Sequence, residues 1–148
     1  MHCRRGSNVG SPLPSIPVRL VAGKVHVAMV EKRFRLRPAE VREARAFARS
    51  GLSDLGIDPD HVDAVETVTG EFMAVAVELG ARDTVRLTIE PFHLLTSIRL
   101  RCSRHLSVRD KPFGPRDRIL EGLTVAHGTR RNADGTEDMW AEVPRSSV

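Results

Sequence analysis

The chain has 148 residues, 41% hydrophobic and 28% charged, with a formal net charge of +4. That length suits a single domain with a real core, and no apolar run approaches the roughly 18–20 residues a membrane-spanning helix needs. The charged amino-terminal residues lead into no apolar stretch, so no secretory signal is read there. The two cysteines, Cys3 and Cys102, suggest no disulfide framework. The expectation is a soluble, cytoplasmic protein. Only three of the 23 basic residues are lysine, and the isoelectric point is about 9.8. A basic surplus attracts anions. Aromatics make up just 4%, tyrosine is absent and no recognisable nucleic-acid module is visible, so direct nucleic-acid binding is not expected.

Residues 1–16, rich in Gly, Ser, Pro and Arg, read as a disordered arm. From Val18 the apolar residues alternate, with Gly23-Lys24 between two runs, which predicts an extra hairpin over 17–31. Met29 and Val30 leave its outer face apolar enough to want a cover; such a hairpin could extend the sheet edge, pair with a second copy of the chain in a homodimer, or lie over a neighbouring cleft. Phe34 and Leu36 form a short strand. Pro38 then opens a helix whose apolar stripe is Val41, Ala44, Ala48, Leu52 and Leu55, closed at Gly56. Arg42, Arg45 and Arg49 line another face of it and suit an acidic partner.

Asp58-Pro59-Asp60 supplies a cap, a proline and an early acid for a second helix. His61, Val65, Val68, Phe72, Val75, Ala76 and Leu79 make it apolar over more than half its circumference, so it should be the buried helix, ending at Gly80. Residues 84–90 and 95–102 alternate as two strands of a hairpin. Residues 103–118 are irregular and basic: a solvated loop, or a contact for an acidic surface or a phosphate. Ile119, Leu120, Leu123 and Ala126 give a short helix ended by Gly128, and Asp134-Gly135 turns a closing hairpin over 129–143, with 144–148 as a tail. The order predicts an α/β (α+β) sandwich, with helices on one face of a mixed, mostly antiparallel sheet.

Other chemistry is poorly supplied. Cys102 and His105 make one loose pair, short of the four ligands of a structural zinc site, and no metal is expected. Ser103 and Ser107 lack a nucleophile elbow.

Three stretches carry a family likeness: residues 37–45, residues 68–80, and residues 118–143 with Asp134-Gly135-Thr136 and Trp140-Ala141-Glu142-Val143. Together they resemble the anti-sigma-factor serine kinases of the histidine-kinase-like (GHKL) ATPase superfamily, in the form of the small actinobacterial regulators. The resemblance implies a histidine-kinase-like ATPase fold over 17–143, with 103–118 as a lid. It also implies four functional parts: a glutamate base, a magnesium-binding asparagine one turn later, an adenine-binding aspartate, and glycines at the last helix. Glu71 matches the glutamate. The asparagine position is Val75, the aspartate position falls at Cys102 or Ser103, and the glycine positions fall near Asp117 and Ile119.

Glu71 is then a relict base, or simply a surface acid. The expectation is a fold retained without ATP or magnesium binding: a regulatory module that binds a sigma factor or an anti-anti-sigma (STAS-type) protein without turnover. The alternative is an active serine/threonine kinase with its metal site rebuilt through Glu78.

Overall fold

The computed structural model describes residues 20–21, 24–25, 29–79, 83–103 and 113–145. The expected arm at 1–16, Gly80, His105, Ser107 and most of the basic loop (104–112) lie outside the described residues. β1 (Leu20–Val21) and β2 (Lys24–Val25) pair antiparallel, Leu20 opposite Val25, as the expected hairpin requires.

The rest is an α+β sandwich. Five strands, β3 (Val30–Arg35), β4 (Thr84–Pro91), β5 (Leu95–Cys102), β6 (Ala126–Arg131) and β7 (Glu137–Pro144), form a sheet in the order β3-β4-β5-β7-β6. All of its pairings are antiparallel, which narrows the mixed sheet expected. α1 (Pro38–Asp54) and α2 (Pro59–Glu78) pack on each other and on the sheet, α2 against β5 and β7, α1 against β3. A short α3 (Asp117–Leu123) follows a 3-10 turn at Gly114–Arg116.

The helices start and stop where their termini are satisfied. Pro38 stands in the first turn of α1, and Gly56, at φ 73°, takes the left-handed conformation that ends it. The Asp58 carboxylate accepts from the N–H of Asp60 at 3.1 Å and of His61 at 3.3 Å, capping α2. Along α2, Val62, Val65, Val68, Phe72, Met73 and Ala76 are fully enclosed. Each large side chain so buried contributes about 1.5–3 kcal/mol of transfer free energy. They meet Leu87 and Ile89 of β4, Ile98 and Leu100 of β5, and Met139, Ala141 and Val143 of β7 in one core.

Three boundaries differ from those read in the sequence. Val30 belongs to the main sheet, opposite Ile89, and is buried rather than exposed; Gly51 of α1 comes so close that a Cβ there would meet a Val30 methyl at 3.0 Å. The last helix stops at Leu123, and Ala126 to Gly128 are already strand. Gly128 is needed there because the Trp140 ring lies across it, 3.2 Å from where a Cβ would stand. At the other end the strand reaches Pro144, and the Arg145 N–H donates to the Leu94 carbonyl at 2.8 Å, so the first residues of the expected tail are part of the sheet. The Asp134-Gly135 turn is as expected, with Gly135 at φ 88° and the Asn132 N–H donating to the Thr136 carbonyl at 2.8 Å.

Candidate functional site

Of the residues singled out by the family likeness, Glu71 and Val75 lie on α2 and Asp117 and Ile119 on α3, where α2, the 3-10 turn and α3 meet. Glu71 and Glu78 lie seven positions apart on α2, so they share one side of the helix with Val75 between them. Arg116 spans both. Its Nε is 3.3 Å from Glu71 Oε1, and its Nη2 donates to Glu78 Oε2 at 2.7 Å. Val75, only 3% exposed, is part of the apolar core.

The segment entering α3 is pinned as well. Phe113 stacks on Phe72 with centroids 5.6 Å apart and meets the His127 ring edge-on at 5.5 Å. His127 Nε2 is 2.8 Å from Asp117 Oδ1, and its Nδ1 is 3.1 Å from Thr124 Oγ1, which itself donates to the Leu120 carbonyl at 2.7 Å. Asp117 is thus held to β6, while Ile119 is exposed at the surface.

Cys102 is not at this surface. It is buried in the sheet, opposite Val85 and Glu137. Burial, reinforced by the charges of Glu137 and Asp138, pushes its thiol up to about 12, so at neutral pH it stays protonated rather than serving as a thiolate nucleophile. The Ser103 hydroxyl donates to Asp83 at 3.3 Å.

At the position that the family likeness assigns to a magnesium ligand stands the isopropyl group of Val75, and Glu71 and Glu78 on either side of it both face the Arg116 guanidinium. Among the described residues, no three His, Cys, Asp or Glu side chains come together as a metal cluster.

On the outer side of α1, Arg42, Arg45 and Arg49 line one groove of about 780 Å³ with Val41 and Glu66. Their roles diverge. Arg49 donates through Nε to Glu66 at 3.0 Å and also pairs with Asp63, hydrogen bonds that raise its pKa and clamp α1 to α2. Arg45 lays its stem over Gly70 of α2, 2.8 Å from where a Cβ would be. Arg42 is exposed.

Two features escape sequence reading. Phe113 sits in a basic, Pro-Gly-rich stretch, where only its being the lone aromatic marks it as an anchor. Asp138 is fully enclosed, receiving Arg101 Nε at 2.8 Å and Nη2 at 3.0 Å; that pair becomes visible only once the β5–β7 register is known.

No protein-family model matches the sequence, and no curated protein proves significantly similar to it. Among the described residues, no helix is long and apolar enough to cross a membrane.

Proposed function

We propose that this chain is a regulatory protein-binding module with a degenerate anti-sigma-kinase-like domain. On this reading it acts in the cytoplasm and binds a sigma factor or an anti-anti-sigma (STAS-type) protein without turning over ATP. The observation that carries it is the Arg116 bridge. In a working kinase of this kind the Glu71 position must face an attacking hydroxyl, and its neighbour one turn on must hold magnesium. Here Glu71 faces Arg116 and the neighbour is core Val75. The alternative metal ligand, Glu78, is taken by the same guanidinium. Binding without catalysis needs a stable surface instead, and the α1 groove supplies one, with Arg42 exposed on it and the Arg45 and Arg49 clamps holding its shape.

The test is reconstitution of the purified chain with a sigma factor or STAS-type protein, with and without magnesium and ATP. A stoichiometric complex indifferent to nucleotide, weakened about tenfold by Arg42→Glu (a loss typical of reversing one interfacial charge), is the expected result. Transfer of radiolabelled phosphate from ATP to a serine of the partner would overturn the reading in favour of an active kinase.

A further inference from the structure

The face of the sheet turned away from the helices carries a charge arrangement that the α2 site does not use. Arg33 of β3, Arg86 of β4 and Arg101 of β5 are successive partners in one row across three strands. Side chains directly opposite in an antiparallel pair stand about 5 Å apart at Cβ, and like charges there repel. Arg101 is compensated by Asp138, which holds its guanidinium through two hydrogen bonds. Arg33 and Arg86 form no ion pair or hydrogen bond through their side chains among the described residues. Two cations without an ion pair among the described residues therefore sit side by side next to a third that is locked in place, with Glu31 two residues from Arg33 on the same face.

The three arginines line one depression of about 330 Å³, together with the hydroxyl-bearing Thr84, Ser103 and Thr136. One carboxylate, Asp134, also lines it, but it is exposed to solvent and occupied by Thr136, accepting from that residue's N–H at 3.0 Å and Oγ1 at 2.6 Å. Guanidiniums bind planar or tetrahedral oxyanions through paired N–H donors. A group with several terminal oxygens and two negative charges matches two free guanidiniums, a fixed third and a ring of hydroxyls better than a singly charged carboxylate does.

We propose that the Arg33–Arg86–Arg101 depression binds the phosphate monoester group of a small phosphorylated ligand. The site lies on the opposite side of the sheet from α1 and α2, so it stands or falls independently of the partner-binding reading.

The experiment is thermal unfolding and calorimetric titration of the full chain with inorganic phosphate, and separately with glycerol phosphate, at constant ionic strength. Arg86→Gln and Arg33→Gln are run alongside. Wild type should show saturable stabilisation by both probes, with apparent affinity at least tenfold weaker in each variant. In phosphate-free, low-salt buffer the variants should melt at or above wild type, because repulsion is relieved. The proposal is overturned if wild type shows no phosphate response, if the variants respond as wild type does, or if they melt below it in phosphate-free buffer. Capture of a single-stranded oligonucleotide, or of an acidic protein, that phosphate fails to displace would also overturn it, by assigning the face to an extended polyanion.

Discussion

Arg116 reaches back across one side of α2 to place its guanidinium Nε 3.3 Å from the Glu71 carboxylate and its Nη2 2.7 Å from Glu78. The residue most suggestive of a catalytic base is thereby a structural anchor for the turn that precedes α3. Removing the guanidinium in Arg116→Met should lower the urea midpoint with an unchanged slope, a loss of about 1 kcal/mol in unfolding free energy, the size expected of partly exposed pairs. Hydrogen exchange should quicken at Gly114–Arg116 before it does in α2.

Phe113→Ala removes the ring that stacks on Phe72 and meets His127. A destabilisation of about 3 kcal/mol is expected for loss of a buried phenyl ring. Comparison with Phe113→Leu separates lost area from lost stacking: Leu should recover more than half of the stability in equilibrium denaturation.

His61 gives the fold a pH dependence of known sign. It is buried at the start of α2 with Nε2 2.6 Å from Thr96 Oγ1. Burial first, and the charge of Arg145 second, lower its pKa below the ordinary 6.5, although Asp58 pulls the other way. The unfolded chain therefore takes up a proton near pH 6.5 that the folded chain refuses, so stability falls as pH drops below that value, until the folded pKa is reached. Urea titrations of wild type at pH 7.5 and 5.5 should show this loss, and His61→Gln should flatten the slope over the same interval whatever its absolute stability.

Cys102 should be silent toward thiol reagents in the native state. With its thiol pushed up to about 12 and its side chain enclosed, labelling has to wait for opening of the sheet. In a Cys3→Ser chain, where Cys102 is the remaining thiol, the labelling rate should rise with urea in parallel with unfolding; rapid stoichiometric labelling in buffer would contradict the placement of β5 between β4 and β7.

The element order was legible wherever one apolar period dominated. The stripe Ala44, Ala48, Leu52 and the alternation Val85, Leu87, Ile89 appear in the fold as they read in the chain. The first sheet strand was misjudged because Lys32 breaks its alternation: it points to the helix side, where its ammonium lies 5.2 Å from the Phe34 ring and 5.8 Å from that of Phe47. Ala126 to Gly128 read as helix because the requirement for glycine comes from Trp140, a residue on another strand. The candidate site was half legible. Glu71 and Val75 could be compared with a motif, but their partner Arg116 is 45 positions from Glu71 and meets it only through tertiary packing. Arg45 and Arg49 likewise read as a free basic face, since nothing local reveals that Gly70, Glu66 and Asp63 lie beneath them.

The most direct measurement is a thermal titration of the Arg33→Gln/Arg86→Gln chain with magnesium and ATP, a background in which the sheet face cannot contribute. A ligand that binds only the folded state must raise the melting temperature as its concentration grows. On the proposed reading a melting temperature indifferent to nucleotide is expected, since Val75 offers no oxygen ligand and Glu71 and Glu78 both face Arg116. A saturable rise would contradict it and favour the alternative of an active kinase.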